Sequence, residues 1–307
     1  MEVGHGIQGE ARLDDGPVSG DEGMVQGESL IRNISDTALW AAVFRAQETE
    51  RRDALFRDPL ARRLAGDRGV QIAAAMPMNR RNAWAWVMRT YIVDQYLLEQ
   101  LPHGVDMVVN LAAGLDTRPY RMALPPRLRW VEVDLPALID DKERMLAAET
   151  PVCELERVRL DLSEIRARRA LFDRLGREAR KVMILTEGLL IYLSDAEVGS
   201  LAEDLAAPRS FQLWATDVVS PGLIAMMRRQ DGGTLARAGA PFKFAPLEGP
   251  EFFVKHGWRP VEVRSTLKTA AKLKRLPLLL RFLALFPQAK GPAGKRPWSG
   301  ICLFGKP

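Results

Sequence analysis

Residues 106–117 read DMVVNLAAGLDT, a short apolar run that ends in a turn of small residues. The run from Asp106 to Leu111 has the length and composition of a buried strand. In the turn, the small side chains of Ala112, Ala113 and Gly114 let backbone N–H groups come close to a ligand. This strand and its turn are therefore the first candidate for a ligand-binding unit.

Further apolar runs follow this strand, and segments with a helical pattern separate them. Strands that alternate with helices predict βαβ units and a doubly wound, mainly parallel sheet, which is an α/β fold. The predicted strands cover 128–133, 158–160, 181–186, 210–216, 260–264 and 298–304, and the predicted helices cover about 136–149, 165–179, 195–205 and 267–285.

Helical patterns also precede the first strand, over residues 37–52, 60–65 and 80–101. Residues 1–28 carry scattered Gly, Asp and Glu and no apolar signal segment, so we expect a mobile tail there. Residues 221–250 are rich in Gly and Pro, which predicts an excursion over the sheet rather than a core element.

The composition excludes several classes of protein. The chain has 307 residues, of which 47% are hydrophobic and 27% charged, as in ordinary globular proteins. Its two cysteines, Cys153 and Cys302, suggest neither a disulfide scaffold nor a metal site, so we expect a cytoplasmic location and no metal. The longest apolar run, 276–286, is too short to span a bilayer and contains Arg281.

Positive charge is concentrated near the C-terminal end. The net charge is +5, and residues 255–307 contain twelve Lys or Arg residues but one acidic residue, Glu262. The asymmetry fits either a solvated basic face or a surface that attracts an acidic substrate or carrier protein. No basic tract interleaved with aromatic residues is present, so nucleic acid is not the expected partner.

Acidic residues stand at the ends of three predicted strands: Asp134 at the second, Asp161 at the third and Glu187 at the fourth. Ligands of open α/β sheets bind at the carboxyl ends of the strands. A carboxylate after the second strand can accept hydrogen bonds from a ribose diol, and one after the third can accept from an adenine amino group. The set predicts a nucleoside-containing cofactor, although the turn lacks the GxGxxG pattern that a nicotinamide dehydrogenase would favour.

Seven segments of the chain are considered together: VVNLAAGLDTRPYRM (108–122), WVEVDLPALIDDKERML (130–146), VRLDLSE (158–164), ILTEGLLIYLS (184–194), TALWAAVFRAQET (37–49), DALFRDPLA (53–61) and VMRTYIVDQYL (87–97). They resemble the leucine carboxyl methyltransferase family, including its bacterial S-adenosylmethionine-dependent O-methyltransferase branch. The resemblance covers about residues 30–307. It implies a class I methyltransferase fold, Rossmann-like and doubly wound, whose seven-stranded sheet has an antiparallel last strand. It also implies S-adenosylmethionine as the cofactor and S-adenosylhomocysteine as the product.

The resemblance further implies one methyltransferase domain over residues 29–307. Within it we expect a helical cap at 29–104, a cofactor-binding core at 105–220, and a lid insertion with the final strands at 221–307.

The family's binding residues can be carried over to this sequence. Arg89 would reach the methionine carboxylate of the cofactor, Asp134 the ribose hydroxyls, and Glu187 the methionine end near the methyl group. Asp161 with Leu162 would surround the adenine. The full expected set for cofactor binding is Arg89, Ala112, Ala113, Gly114, Asp116, Asp134, Leu135, Asp161, Leu162 and Glu187.

One residue of the turn departs from the family, which commonly has Gly-Ala-Gly where this chain has Ala112-Ala113-Gly114. With a negative φ at residue 112 alanine is tolerated or slightly favourable. With a positive φ, or very close approach of the cofactor, affinity would drop. We expect binding to survive in either case.

The sequence leaves the methylated atom open between a carboxylate and a hydroxyl oxygen. A carboxylate is ionised at neutral pH and needs no base, whereas an alcohol or phenol benefits from one. None of the three histidines stands at a strand's carboxyl end, which modestly favours a carboxyl substrate. Glu187, Asp217 and Tyr192 remain candidate catalytic residues. The candidate substrate pocket comprises Trp86, Arg118, Tyr192 and Met226, within a wider aromatic and methionine set of Trp84, Met88, Tyr91, Met227, Phe242 and Phe244.

Three kinds of function fit these features. The first is a methyltransferase acting on a small metabolite, as in natural-product tailoring. The second is a methyltransferase acting on a macromolecule, such as a protein C-terminus, a carrier-bound substrate or tRNA. The third is a homologue that binds the cofactor without catalysis. The oligomeric state stays open.

Overall fold

The computed structural model describes residues 36–75, 79–231, 233–237, 239–277, 280–281 and 294–307, without the side chains of 79–81, 231 and 234–235. The tail predicted at 1–28 lies outside the described residues, as does most of the apolar run at 276–286. No helix within the described part of the chain is long and apolar enough to cross a membrane.

A seven-stranded sheet forms the centre of the molecule, in the order β3-β2-β1-β4-β5-β7-β6. Strands β1 to β5 run parallel, and the last strand, β7, is antiparallel to both of its neighbours. This confirms the predicted doubly wound sheet with an antiparallel last strand. The bounds are β1 Met107–Leu111, β2 Arg129–Asp134, β3 Glu154–Arg159, β4 Val182–Thr186, β5 Phe211–Val219, β6 Arg259–Ser265 and β7 Ser299–Gly305.

Helices cover the sheet, and three of them precede the first strand. Residues 101–103, 190–192 and 249–256 form short 3₁₀ helices. The α-helices are α1 Asp36–Thr49, α2 Ala61–Ala75, α3 Asn79–Gln100, α4 Arg118–Arg121, α5 Pro136–Met145, α6 Ile165–Glu178, α7 Asp195–Ala206, α8 Pro221–Asp231, α9 Thr234–Arg237 and α10 Thr266–Lys272.

The strand order reverses at β1, which lies between β2 and β4. Leu111, the last residue of β1, is in register with Val133 of β2 and Thr186 of β4. The turn at 112–114, Asp134 and Glu187 therefore follow the same edge of the sheet. This edge is where an open α/β sheet binds its ligand.

Apolar side chains pack on both faces of the sheet. One cluster joins β1, β4 and β5 to α6 and α7 and includes Trp214, and a second joins the other face to α3 and includes Trp130. A third cluster, which includes Trp40, packs α1 and α2 against the segment after β5. Because helices cover both faces of the central strands, every residue of β1 and β4 is buried, including Asn110 and Thr186.

The element boundaries differ from the prediction in several places. Strand β3 begins at Glu154 rather than at residue 158, because a half-exposed strand with polar residues lacks an apolar signature. Helix α2 continues past the predicted end at Ala65 through a kink at Gly66, which has φ 55°. Residues 221–231, the first part of the predicted excursion over the sheet, form α8. Within the predicted helix 267–285, α10 ends at Lys272, and most residues beyond 277 are not described.

Candidate cofactor and substrate site

A cavity of about 750 Å³ lies along the carboxyl edge of the sheet, between the strand ends and the N-terminal helices. This volume is within the range of small-molecule sites. Every residue of the predicted cofactor set lines it, as do the predicted substrate residues and catalytic candidates. These lining residues are Trp86, Arg89, Ala112, Ala113, Gly114, Asp116, Arg118, Asp134, Leu135, Asp161, Leu162, Glu187, Tyr192, Asp217 and Met226. Met88, Tyr91 and Phe244 of the wider aromatic set do not line the cavity.

The turn after β1 is held against the end of β2. The Gly114 N–H donates to Asp134 Oδ2 at 2.7 Å, and the Leu135 N–H donates to Asp134 Oδ1 at 2.8 Å. Burial raises the pKa of Asp134, and these two N–H donors offset the rise only in part. Each carboxylate oxygen keeps a further lone pair that can accept from a ligand hydroxyl.

Ala112 has φ 51°, in the left-handed region, as does Gly114. Of the two alternatives that the sequence left open for residue 112, the structure has the one with a positive φ. A side chain with a Cβ is strained there by about 1–2 kcal/mol. The hydrogen bond from Gly114 to Asp134 and the pairing of β1 with β2 hold the turn in this conformation, with alanine at residue 112.

Arg118 is buried and donates hydrogen bonds to three carboxylates. Its Nε donates to Asp94 at 2.6 Å, and its Nη1 donates to Asp116 at 2.8 Å and to Glu187 at 2.5 Å. Burial would raise the pKa of Asp116, but the charge of Arg118 outweighs it and holds that pKa well below its ordinary value. Asp116 also accepts from Asn110. Asp116 and Arg118 both line the cavity, but most of their hydrogen-bonding groups are already used within the protein. Their geometry therefore suits positioning Glu187 better than holding a ligand.

Arg89 stands beside Arg118, and its guanidinium forms an ion pair with Glu187 but donates no hydrogen bond to a described residue. Its Nε lies 3.6 Å from Glu187 Oε2, and its guanidinium lies over the Trp86 ring at 4.7 Å. That Nε is buried and has no hydrogen-bond partner. A Cβ at Gly188 would come within 2.6 Å of Arg89 Nη1, so the glycine leaves room for the guanidinium. A cation with unused donors at a cavity wall fits a ligand carboxylate.

Asp161 and Leu162 form the wall at the end of β3. Asp161 is exposed, and its Oδ1 accepts from the Ser163 N–H at 2.8 Å. Arg168, buried in α6, donates to the Leu162 carbonyl at 2.8 Å and to Asp204 at 2.9 Å. Sequence reasoning missed Arg168, since its helical position gives no sign that it braces a loop 6 residues earlier.

On the side of β5 and β7, away from β2 and β3 in the strand order, the lining is mainly apolar, and we call this part of the cavity the substrate end. The Tyr192 and Phe242 rings lie 5.8 Å apart, and Met226 is 36% exposed on α8. Two hydroxyl residues that sequence reasoning missed, Thr266 and Ser299, are hydrogen-bonded to each other there. The described residues of the substrate end are Asn82, Trp84, Ala85, Trp86, Tyr192, Asp217, Val219, Leu223, Met226, Met227, Phe242, Thr266 and Ser299.

Asp217 connects the two ends. It lies on β5, and its Oδ1 accepts from the Gly188 N–H at 2.6 Å. Gly188 follows Glu187 directly and adjoins Arg89, so Asp217 stands where the predicted methionine end of the cofactor meets the substrate end.

The observed groups fit S-adenosylmethionine. Arg89 offers unpaired donors for a carboxylate, and Asp134 offers acceptors for the ribose hydroxyls. Gly114 and Gly188 bring backbone close to the space between them. The seven-stranded sheet and this site together define a class I methyltransferase.

Comparisons with known proteins place the chain within that class. The model of the leucine carboxyl methyltransferase family matches residues 38–206. A protein of Parafrankia sp. named "Putative S-adenosyl-L-methionine-dependent methyltransferase" is 36% identical over 85% of this chain and 88% of its own. A protein of Frankia alni with the same description is 31% identical over 78% of this chain and 88% of its own. The chain belongs to the leucine carboxyl methyltransferase family, which consists of S-adenosylmethionine-dependent methyltransferases.

The fold is similar to that of solved structures. A "putative methyltransferase" from Thermobifida fusca superimposes with a TM-score of 0.55, covering 91% of this chain and 96% of that one at 17% identity. A DUF574 family protein from Streptomyces avermitilis gives a TM-score of 0.52 at 15% identity, with coverage of 87% and 97%. These likenesses concern the fold.

Proposed function

We propose that the protein transfers a methyl group from S-adenosylmethionine to an oxygen atom of a small metabolite, either a carboxylate or a hydroxyl. The observation that carries this proposal is a single cavity with two unlike ends. One end has the carboxylates and backbone donors that suit a nucleoside with an amino-acid tail, and the other is apolar and aromatic. An apolar, aromatic end favours a small molecule as the substrate.

When bound, S-adenosylmethionine supplies a methyl group on a positively charged sulfur, which is already a strong electrophile. The residues of the chain then have to bind, orient and exclude water. Asp134 accepts hydrogen bonds from the ribose hydroxyls, and Arg89 pairs with the methionine carboxylate. Orienting the reacting atoms in this way can contribute roughly 7–11 kcal/mol.

The remaining residues shape the space around the methyl group. Arg118 fixes Glu187 at the methionine end through a hydrogen bond of 2.5 Å. The tilted Trp40 and Trp86 rings, 4.8 Å apart, form an apolar wall beside Arg89. This wall gives the space beside Arg89 an apolar surface.

A methyl-transfer assay tests the proposal. The protein is incubated with S-adenosylmethionine carrying a labelled methyl group and a panel of aromatic and aliphatic acids and alcohols. We expect label in a methyl ester or ether, with S-adenosylhomocysteine formed in equal amount. Arg89→Ala serves as the matched variant and should lose most of the transfer. The proposal is wrong if neither S-adenosylmethionine nor S-adenosylhomocysteine binds, or if label goes to nitrogen, sulfur or carbon.

A further inference from the structure

The charges that line the cavity are unequal. Six carboxylates and four guanidinium groups line it within the described part of the chain, and no Lys or His does so. The carboxylates belong to Asp116, Asp134, Asp161, Glu187, Glu197 and Asp217, and the guanidinium groups to Arg45, Arg89, Arg118 and Arg168. An excess of negative charge favours a cationic sulfonium and disfavours an anionic co-substrate.

The guanidinium groups already have partners or assigned roles. Arg118 contacts three carboxylates, and Arg168 pairs with Asp204. Arg45 donates to Asp58 at 2.8 Å and to the Leu115 carbonyl at 2.6 Å. Arg89, the fourth, suits the methionine carboxylate. No described arginine is left to neutralise a carboxylate on the substrate.

The substrate end itself has one charged side chain among its described residues, Asp217. Its Oδ1 is fixed by the Gly188 N–H, and its Oδ2 accepts no hydrogen bond from a described residue. The ion pair that Arg89 makes among the described residues is with Glu187 and not with Asp217. The adjoining cation, Arg89, is assigned to the methionine carboxylate. A substrate carboxylate placed here would therefore meet the like charge of Asp217, whereas a hydroxyl would meet an acceptor.

We infer that the methylated group is a neutral hydroxyl, of a phenol or an alcohol, and that Asp217 accepts its proton. This inference rests on the proposed function and narrows it. It also reverses the modest preference for a carboxyl substrate that the absence of a histidine base gave.

The step balances in atoms and charge. The substrate O–H bond breaks, and its proton passes to Asp217 Oδ2. The oxygen uses a lone pair to form a bond to the methyl carbon while the carbon–sulfur bond breaks and its electron pair stays on the sulfur. The products are a methyl ether, S-adenosylhomocysteine and a protonated Asp217, which returns its proton to water. A phenol needs this acceptor because it is mostly un-ionised at neutral pH.

Matched probes test the inference. Phenol and benzoate, and 2-naphthol and 2-naphthoate, share an aromatic body but differ in the oxygen group. Their affinities are measured by calorimetry with the protein saturated in S-adenosylhomocysteine. We expect at least one hydroxyl probe to bind about tenfold or more tightly than its carboxylate partner. Binding of S-adenosylhomocysteine is measured first. If it does not bind, the proposed function is wrong; if it binds but the hydroxyl probes are not preferred, only this inference is wrong.

The variant Asp217→Asn removes the charge with little change in shape. We expect affinity for the carboxylate probe to rise about tenfold, and affinity for the hydroxyl probe to change less than about threefold. Methyl transfer to the hydroxyl probe should fall about 100-fold in kcat, within the usual range for loss of a general base. The control Asp195→Asn neutralises an exposed carboxylate beside the cavity and should change neither affinity.

Several results would overturn the inference. One is a wild-type protein that prefers the carboxylate probes or binds no hydroxyl probe. Another is an Asp217→Asn variant whose ratio of the two affinities equals that of the wild type. A third is preferential methylation of the matching aromatic amine, which would assign Asp217 to a cationic nucleophile instead.

Discussion

Ala112 has a φ of 51°, in the left-handed region, and the backbone strain at this residue is testable. Replacing it with glycine removes strain of about 1–2 kcal/mol but adds flexibility to the unfolded chain, worth about 0.4–1 kcal/mol. We expect Ala112→Gly to raise the free energy of unfolding by up to about 1 kcal/mol in denaturant titrations.

Ala113→Gly is the matched control, because Ala113 is buried and does not have a positive φ. The control should lose roughly 0.5–1 kcal/mol or more. If both variants lose stability equally, the strain assigned to Ala112 is absent.

Arg89 has unpaired donors at the cavity wall, which predicts selective recognition of a carboxylate. We expect Arg89→Ala to weaken S-adenosylhomocysteine about tenfold or more while changing adenosine less than about threefold, because adenosine lacks the amino-acid tail. Isothermal titration with both ligands measures the difference. Equal losses would place Arg89 elsewhere in the site.

The raised pKa of Asp134 predicts a pH dependence of cofactor affinity. Ribose hydroxyls donate to the ionised carboxylate, and burial favours the protonated form in the free protein. As pH falls through this raised pKa, affinity for S-adenosylhomocysteine should therefore fall, at a higher pH than for an ordinary aspartate. Titrations at a series of pH values from neutral down to the range of an ordinary aspartate measure this. Asp134→Asn should bind more weakly and lose that part of the pH dependence; an unchanged profile would count against Asp134.

At the residue scale, the sequence predicted which side chains line the cavity better than it predicted their partners. Asp134 and Glu187 could be found because each follows an apolar strand. The role of Arg118 could not, since its three acidic partners come from positions 2, 24 and 69 residues away. Arg118 and its three acidic partners come together only in the folded protein, and no local sequence pattern predicts this contact.

At the element scale, α1 is tied to the turn after β1 by a buried polar link. Arg45 of α1 donates to Asp58 and to the Leu115 carbonyl, and Thr117 donates to Asp58 at 2.6 Å. Asp58 is 1% exposed, so its charge depends on these donors. Hydrogen bonds therefore connect α1 to the turn after β1, in addition to the apolar packing between them.

Breaking the link should destabilise the protein and weaken the cofactor site. We expect Arg45→Ala to lower the free energy of unfolding by about 3 kcal/mol, because it leaves a buried carboxylate without its counter-ion. The double variant Arg45→Ala/Asp58→Ala should lose less than the sum of the two single variants in denaturant titrations. Additive losses would show that the two side chains act independently.

The predicted element boundaries agree with the structure where the hydrophobic periodicity is strong, and they differ from it where the periodicity is weak. Helix α7 was predicted from Asp195 and begins there, with Ser194 and Glu197 forming a capping box. Strand β3 was predicted too short, since an edge strand can carry polar residues on both faces. Strand β5 extends to Val219 and so includes Asp217, which the sequence had placed just after the strand.

At the scale of the whole molecule, the fold brings the strand ends, the helical cap and the segment after β5 around one cavity. The alternation of strands and helices was enough to predict the sheet, because βαβ connections restrict the topology strongly. The contents of the substrate end depend on α3, α8 and the start of β7 meeting in space. The spacing of these segments in the sequence does not predict that they come together in the fold.

The central claim is that this cavity binds S-adenosylmethionine, and thermal unfolding with added ligand tests it most directly. S-adenosylhomocysteine at about 100 times its Kd should stabilise the protein by about 2.7 kcal/mol, which raises Tm by several degrees. S-adenosylmethionine should act similarly, NAD should have no effect, and Asp134→Asn should reduce the shift at the same ligand concentration. No shift with either adenosyl ligand, or an equal shift with NAD, would contradict the account.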